Sequence, residues 1–269
     1  MENSKSGFNK AERNNVNFLR LCFPFAYFQF TRLNSVQSLV FHSWYEWLAG
    51  VFVLTVSTEL NLFSSFFAYL EAYLPFIALY EIGYIVNDFY SSKNEEKARY
   101  RLSIYGEVKE WEVLVWILIR AFFVLFFIYF TDIGTLRWIF FAGFLIIVFS
   151  IHNYFKIKEL KFITFMNLAL SRFMLPLIPF LHIKQIQLLI PVVLLNYVLY
   201  RTINYLDSKE LLMMENRKEP WFKLFFYLLL IPFNLLLQVT FENPLPVYLN
   251  LFYLMFWTIY FTVSRIRAF

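Results

Sequence analysis

The sequence predicts an all-α fold, a polytopic membrane helix bundle of about 8–9 transmembrane helices. Of its 269 residues 60% are hydrophobic, and mean hydropathy is +0.56. Only 16% are charged, where a soluble domain carries about a quarter. Apolar runs of about 18 to 25 residues recur along the chain, each long enough to cross a hydrocarbon core about 30 Å thick.

Residues 1–33 read as an N-terminal segment at the cytoplasmic interface, and residues 34–269 as a single transmembrane bundle. Within the first, 16–31 is apolar and aromatic but interrupted by Arg20, which suits a helix lying in the interface. It has no small-residue cleavage site and does not read as a removed signal peptide. Eight spans follow, over 37–57, 62–86, 112–131, 135–152, 162–181, 185–205, 221–239 and 246–264. The second ends at Asn87-Asp88, the fourth at Asn153 and the sixth at Asn204 to Asp207.

Charge orients the bundle. Eighteen Lys and Arg residues fall in the termini and in the connectors of one side, against Arg137 and Lys184 on the other. Positive charge marks the cytoplasmic side, so both termini and the loops 87–110, 153–161 and 204–219 are expected there. The net charge of +5 then follows from topology and contact with anionic lipid, with no nucleic-acid partner needed. Usage rich in Phe, Ile, Asn and Lys suggests an AT-rich genome, and with it a bacterial inner membrane.

Several chemistries are set aside. One cysteine, Cys22, makes no disulfide framework, thiolate zinc site or iron–sulfur cluster within the chain. His42, His152 and His182 are too scattered for a metalloprotease helix, and six glycines supply neither a phosphate loop nor a dinucleotide fingerprint. Aromatic residues, 23% of the chain, suit lipid-facing bulk and interfacial belts as well as the wall of an isoprenoid channel.

Two acidic stretches, Asn87 to Glu96 and Asn204 to Glu210, lie about 115 residues apart at span ends. Carboxylates beside Lys and Arg at the mouth of a bundle suit a metal-bridged diphosphate: the metal cancels like-charge repulsion and the bases hold the remaining oxygens. If the second span continues as a helix, Asp88, Ser91 and Glu95 share one face, which Glu81 extends inward. Lys97, Arg99 and Arg101 follow within reach of the same anion. A solvated loop of mixed charge is the plain alternative. Asn204, Asp207 and Glu210 recur every three residues with Arg201 one turn further in, a pattern that an ordinary polar helix end also gives. Tyr154 and Lys158 form an i, i+4 pair that suits a phosphate or a cation, or equally an interfacial aromatic and a snorkelling base.

Ionisable residues inside spans face a cavity or a partner; here they are Glu46, Glu71, Glu81, Arg120, Arg172 and Arg201. Arg172 lies about 15 Å deep at the helical rise. It needs a hydrated chamber or an acidic partner, for which Glu46 and Glu71 are both candidates.

In these pieces the chain resembles the UbiA intramembrane prenyltransferases. That family has an Asn-Asp-x-x-Asp-x-x-x-Asp motif after its second span, a Tyr/Lys segment before the fifth and a second aspartate motif after the sixth. Asn87 and Asp88 match the first motif, while Ser91 replaces the middle aspartate and Glu95 the last. Asp207 matches the second motif, with Glu210 at a three-residue instead of a four-residue step. Arg32-Leu33-Asn34 followed by Phe41 to Gly50 resembles the family's first helix, and the likeness runs over about residues 28–215.

The resemblance implies nine spans around a central cavity open to lipid. It implies catalytic roles for Asp88, Asp207, Tyr154 and Lys158, and a magnesium ion held by Asp88, Glu95, Asp207 and Glu210. A donor diphosphate would be bound by Asn87, Lys97, Arg99, Arg101 and Arg201, with Glu81, Arg172 and Asn204 along the cavity. The reaction implied is magnesium-assisted prenyl transfer from a prenyl diphosphate, with release of pyrophosphate. Some members transfer phosphoribose to polyprenyl phosphate, which a less acidic, more basic site also suits. A non-catalytic lipid-binding or transport protein is the reading from another class.

Overall fold

The computed structural model describes residues 18–33, 35–90, 108–155 and 157–266. Among them every regular element is helical. In chain order these are α1 (Phe18–Cys22), α2 (Ala26–Arg32), α3 (Val36–Ser57), α4 (Leu62–Phe89), α5 (Glu110–Phe130) and α6 (Leu136–Tyr154). Then come α7 (Lys158–Met174), α8 (Ile183–Ser208), α9 (Pro220–Leu229), α10 (Ile231–Phe241) and α11 (Leu245–Ile266).

Seven helical stretches among the described residues are long and apolar enough to cross a membrane: α3, α4, α5, α6, α8, α9 with α10, and α11. They coincide with seven of the eight expected spans. The eighth, 162–181, is instead the 17-residue α7 followed by a turn and a short 3₁₀ stretch, Ile178–Phe180. Pro176 and Pro179 lack an N–H and disfavour helix at the residue before them, which ends α7 early. The interfacial segment also divides, into α1 and α2, at Pro24 and at Phe25, whose φ is 76°.

The chain packs as two compact units, one of residues 1–41 and 71–156, the other of 42–70 and 157–269. In the first, Glu81 of α4 is fully buried. Its carboxylate accepts the backbone N–H of Phe25 at 3.0 Å and of Phe28 at 2.6 Å. N–H groups at the start of a helix have no carbonyl of the helix to bind, and the α2 N-cap residue makes no side-chain cap of its own. Glu81 therefore caps α2 from across the unit. The same carboxylate receives Arg120 Nε of α5 at 2.7 Å, while Arg120 also donates to the carbonyls of Trp116 and Phe23. Leu21, Tyr27, Ile85, Phe89, Val113 and Trp116 close an apolar core beside it. At Gly83 a Cβ would sit 2.6 Å from the Phe149 ring, so the bare backbone is what lets α6 come close to α4.

In the second unit three buried amides join three helices. Asn196 of α8 and Asn234 of α10 exchange hydrogen bonds at 2.7 and 3.1 Å, and Asn250 of α11 donates to Asn196 at 3.1 Å. Such amide contacts tie helices together where hydrocarbon provides no competing partner. Around them, Tyr45 stacks on Tyr253 with centroids 4.7 Å apart, and Trp44 on Phe252 at 4.9 Å. Helices α3 and α8 each widen into a π-helical turn, at Ser43–Leu48 and at Leu194–Val198.

The double role of Glu81 has a measurable consequence. Arg120→Leu leaves a buried carboxylate without its main cation and should cost about 3–5 kcal/mol. Adding Glu81→Leu should recover only part of this, because the Phe25 and Phe28 N–H groups then lose their acceptor at about 1–3 kcal/mol each. Thermal unfolding of the parent, Arg120→Leu and the double variant in one detergent checks this. Full recovery in the double variant would show that the carboxylate is not the cap of α2.

Candidate functional site

The first unit places the Asn-Asp pair at the last turn of α4. Asp88 is 3% exposed. Its Oδ2 accepts the Tyr27 hydroxyl at 2.7 Å and lies 3.4 Å from Arg32 Nη2, while Oδ1 accepts the Asn87 side-chain amide at 3.2 Å. The Arg32 guanidinium lies over the Tyr84 ring, 4.2 Å from its centroid, one turn before Asp88. Arg32 Nη1 is buried and makes no hydrogen bond among the described residues. The site is thus a carboxylate, a guanidinium, a phenol and an amide at one helix end, with one donor of the guanidinium unused.

In the second unit Glu46, 2% exposed, is the hub of a buried ionic cluster. Arg172 Nε donates to its Oε2 at 2.8 Å. Arg201 Nη1 at 3.2 Å, the Tyr197 hydroxyl at 2.9 Å and His42 Nδ1 at 3.0 Å surround Oε1. Glu46 and Tyr197 lie in the two π-helical turns. Such turns insert a residue and displace the side chains beyond it, and they recur at functional sites. Of the two acidic partners open to Arg172, Glu46 is the one; Glu71 is exposed.

At the end of α8, Asp207 and Asn204 hold an arginine. Arg217 Nε and Nη2 each stand 2.6 Å from Asp207 Oδ2, and Nη1 donates to Asn204 Oδ1. The Met214 N–H donates to Asp207 Oδ1 at 3.1 Å. The helix ends just beyond, with Leu211 N–H on the Leu206 carbonyl and Glu210 N–H on that of Asp207, at 3.0 and 3.1 Å. This is a Schellman termination, which demands a left-handed residue and usually has glycine there. Here it is Glu210, with φ 61°.

Several expected groupings come out differently. Asn204 and Asp207 do share a partner, but Glu210 leaves their helical face because the chain turns left-handed at that residue. Tyr154 and Lys158 are not one helical pair: α6 stops at Tyr154, Phe155 and Ile157 are extended, and Lys158 opens α7. Tyr154 is 84% exposed. Ser91, Glu95, Lys97, Arg99 and Arg101 lie outside the described residues, as does the side chain of Lys158. Arg201 binds Glu46, and Glu81 serves as an anchor of α2.

Among the described residues no three His, Cys, Asp or Glu side chains gather closely enough to hold a metal ion. At the second motif the donor set does not fit magnesium, since both Asp207 oxygens are taken and Glu210 has turned away. At the first, the fit depends on Glu95. Sequence reasoning missed Tyr27, Tyr197, His42 and Arg217. It also passed over Asn196, Asn234 and Asn250, although single amides inside apolar runs are a signal of interhelical contact.

Two expectations follow from these geometries. Glu46→Leu should cost more than about 3 kcal/mol, because it leaves two guanidinium groups without that acceptor. Arg172→Leu should cost less than Glu46→Leu and more than Arg201→Leu, since Arg172 is 2% exposed at the side chain and Arg201 18%. Unfolding midpoints of the three variants test the order. Separately, Glu210→Gly should stabilise by about 1 kcal/mol, the penalty of a left-handed non-glycine residue. A loss of stability would mean that α8 runs on through Glu210.

Compared with models of known protein families, with curated proteins and with solved structures, the chain matches none.

Proposed function

We propose that the chain is an intramembrane transferase of the UbiA kind, which moves a prenyl group from a prenyl diphosphate to an acceptor and releases pyrophosphate. One observation carries the reading. The likeness rests on Arg32 in the first helix and on Asn87-Asp88 after the second span, 56 positions apart, and Arg32 and Asp88 stand 3.4 Å from each other. An Asn-Asp pair in a solvated loop would have no such arrangement.

In the reaction the allylic C–O bond of the donor breaks and its electron pair leaves with pyrophosphate. The acceptor supplies the pair for the new bond and loses a proton. Arg32, with a donor unused beside Asp88, would bind a diphosphate oxygen, and Asn87 would orient another. Lys97, Arg99 and Arg101 would meet the charge that grows on the leaving group, a contribution realised in the transition state. Tyr154 would supply a ring face to the allylic cation. Magnesium, bound by Asp88 and Glu95, would neutralise the diphosphate. The isoprenoid tail would lie in an apolar channel where water does not reach the cation.

The same reading sets the chain in a bacterial inner membrane with both termini and the active-site loops cytoplasmic. It requires α7 with Ile178–Phe180 to cross as an eighth span. Arginine on the described acidic motifs also favours, as a second reading, a donor such as a sugar diphosphate acting on polyprenyl phosphate.

Purified protein in lipid nanodiscs, given farnesyl diphosphate and a membrane-lipid extract, should release pyrophosphate in a magnesium-dependent way and yield a prenylated lipid by mass spectrometry. Asp88→Asn, with its melting point checked, should lower that rate by at least about 100-fold. Phosphoribosylated polyprenyl phosphate from a sugar diphosphate would select the second reading. Turnover of neither donor would leave a non-catalytic lipid-binding or transport protein and sink the proposal.

A further inference from the structure

Beyond the transfer reaction, we propose that Arg217 is the resident cation of the second acidic motif, held on Asp207 and Asn204 in the place a metal ion would take.

All three of its terminal nitrogens are engaged. Nε and Nη2 converge on Asp207 Oδ2, each at 2.6 Å, and Nη1 reaches Asn204 Oδ1. A planar fork of donors matched to two oxygen-bearing side chains one turn apart is what guanidinium provides and an ammonium or a spherical ion does not. The remaining Asp207 oxygen is used by the Met214 N–H at 3.1 Å, so the connector that carries Arg217 is itself pinned to the carboxylate the arginine binds. Arg217 and Asp207 side chains are 16% and 18% exposed. An isolated surface ion pair is worth little; this one has three side-chain contacts and a backbone clasp.

While Arg217 is seated, a divalent ion would find these oxygens already taken. Magnesium seeks six oxygens in octahedral array, and the oxygens turned to Arg217 here are those of Asp207 and Asn204. Glu210, the next carboxylate in sequence, is carried away by its left-handed turn. The single negative charge of Asp207 is already balanced by the single positive charge of Arg217. For the transferase reading, on which this consequence alone rests, the second motif is occupied by its own arginine, and any metal belongs to the first motif.

The test is binding of Mn²⁺ to the purified, detergent-solubilised full chain, read by the electron paramagnetic resonance signal of the free ion. It needs neither donor nor acceptor, so it stands or falls independently of the transfer reaction. Asp207→Asn should leave the Mn²⁺ binding of the parent unchanged. Arg217→Ala should gain one Mn²⁺ equivalent, which Arg217→Ala with Asp207→Asn loses again. Arg217→Gln, which keeps donors but no charge, should gain the same ion and serves if the alanine variant does not fold; Arg217→Lys should gain none. A fall in parent binding on Asp207→Asn, or no gain in either neutral variant, overturns the assignment.

Discussion

The structure depends on the cost of keeping a carboxylate charged inside an apolar bundle. Removing such a group from water costs several kcal/mol even after relaxation, and hydrocarbon offers it no hydrogen bonds. Glu81 in the first unit and Glu46 in the second are such carboxylates, each gathering helices around it. In the first, Glu81 draws in Arg120 and the amides at the start of α2, so α2 is anchored by a charge on α4. In the second, Glu46 gathers Arg172, Arg201 and Tyr197 from α7 and α8. The apolar packing fills in around these fixed points, with Leu21 and Tyr27 in one cluster with Ile85 and Val113.

The carboxylates at the helix ends follow the same rule under weaker constraint. Asp88 is taken by Arg32 and Asp207 by Arg217, so four carboxylates in four places are each answered by arginine. Arginine suits this because it stays charged, is weakly hydrated and presents a fork of donors. The outcome bears on chemistry. A motif whose carboxylate already holds a guanidinium recruits metal poorly, and one whose guanidinium keeps a free donor recruits anions well. The two acidic stretches, alike in sequence, are therefore different in kind. Asp207 has both oxygens and its arginine satisfied, whereas Arg32 at Asp88 does not.

Features that depend on neighbours along the chain were legible in the sequence. Seven apolar runs became helices of the expected extent, because length and apolarity are properties of the segment itself. Arg172 was rightly expected to need an acid, but the choice of Glu46 over Glu71 depends on which face of α3 turns inward, and a π-helical turn at Ser43–Leu48 resets that face. Over the expected span 162–181 the helix ends at Met174, ahead of Pro176 and Pro179, a break that the apolarity of the run does not report. Periodicity placed Glu210 with Asp207 on the premise that α8 continues, and a Schellman turn without glycine gives no sequence warning. Tyr27 on Asp88 spans 61 positions and Tyr197 on Glu46 spans 151; no local pattern reports contacts of that kind.

What distinguishes a functional ion pair from a structural one at Asp88 is the state of Arg32. A guanidinium serving only to hold a carboxylate would be expected to use its donors, since a buried unsatisfied donor costs about 1–3 kcal/mol. Arg120 does so, with three hydrogen bonds to a carboxylate and two carbonyls. Arg32 gives one donor to Asp88 at 3.4 Å, lays its plane on Tyr84 and, among the described residues, leaves Nη1 buried without a hydrogen bond. The stacking offsets part of the cost, yet an anionic oxygen at Nη1 would remove it entirely. Such an oxygen would also find Asn87 beside it on the same helix turn. On the proposed transferase reading, the energy that the pair leaves unrealised would be available to a phosphate-bearing ligand.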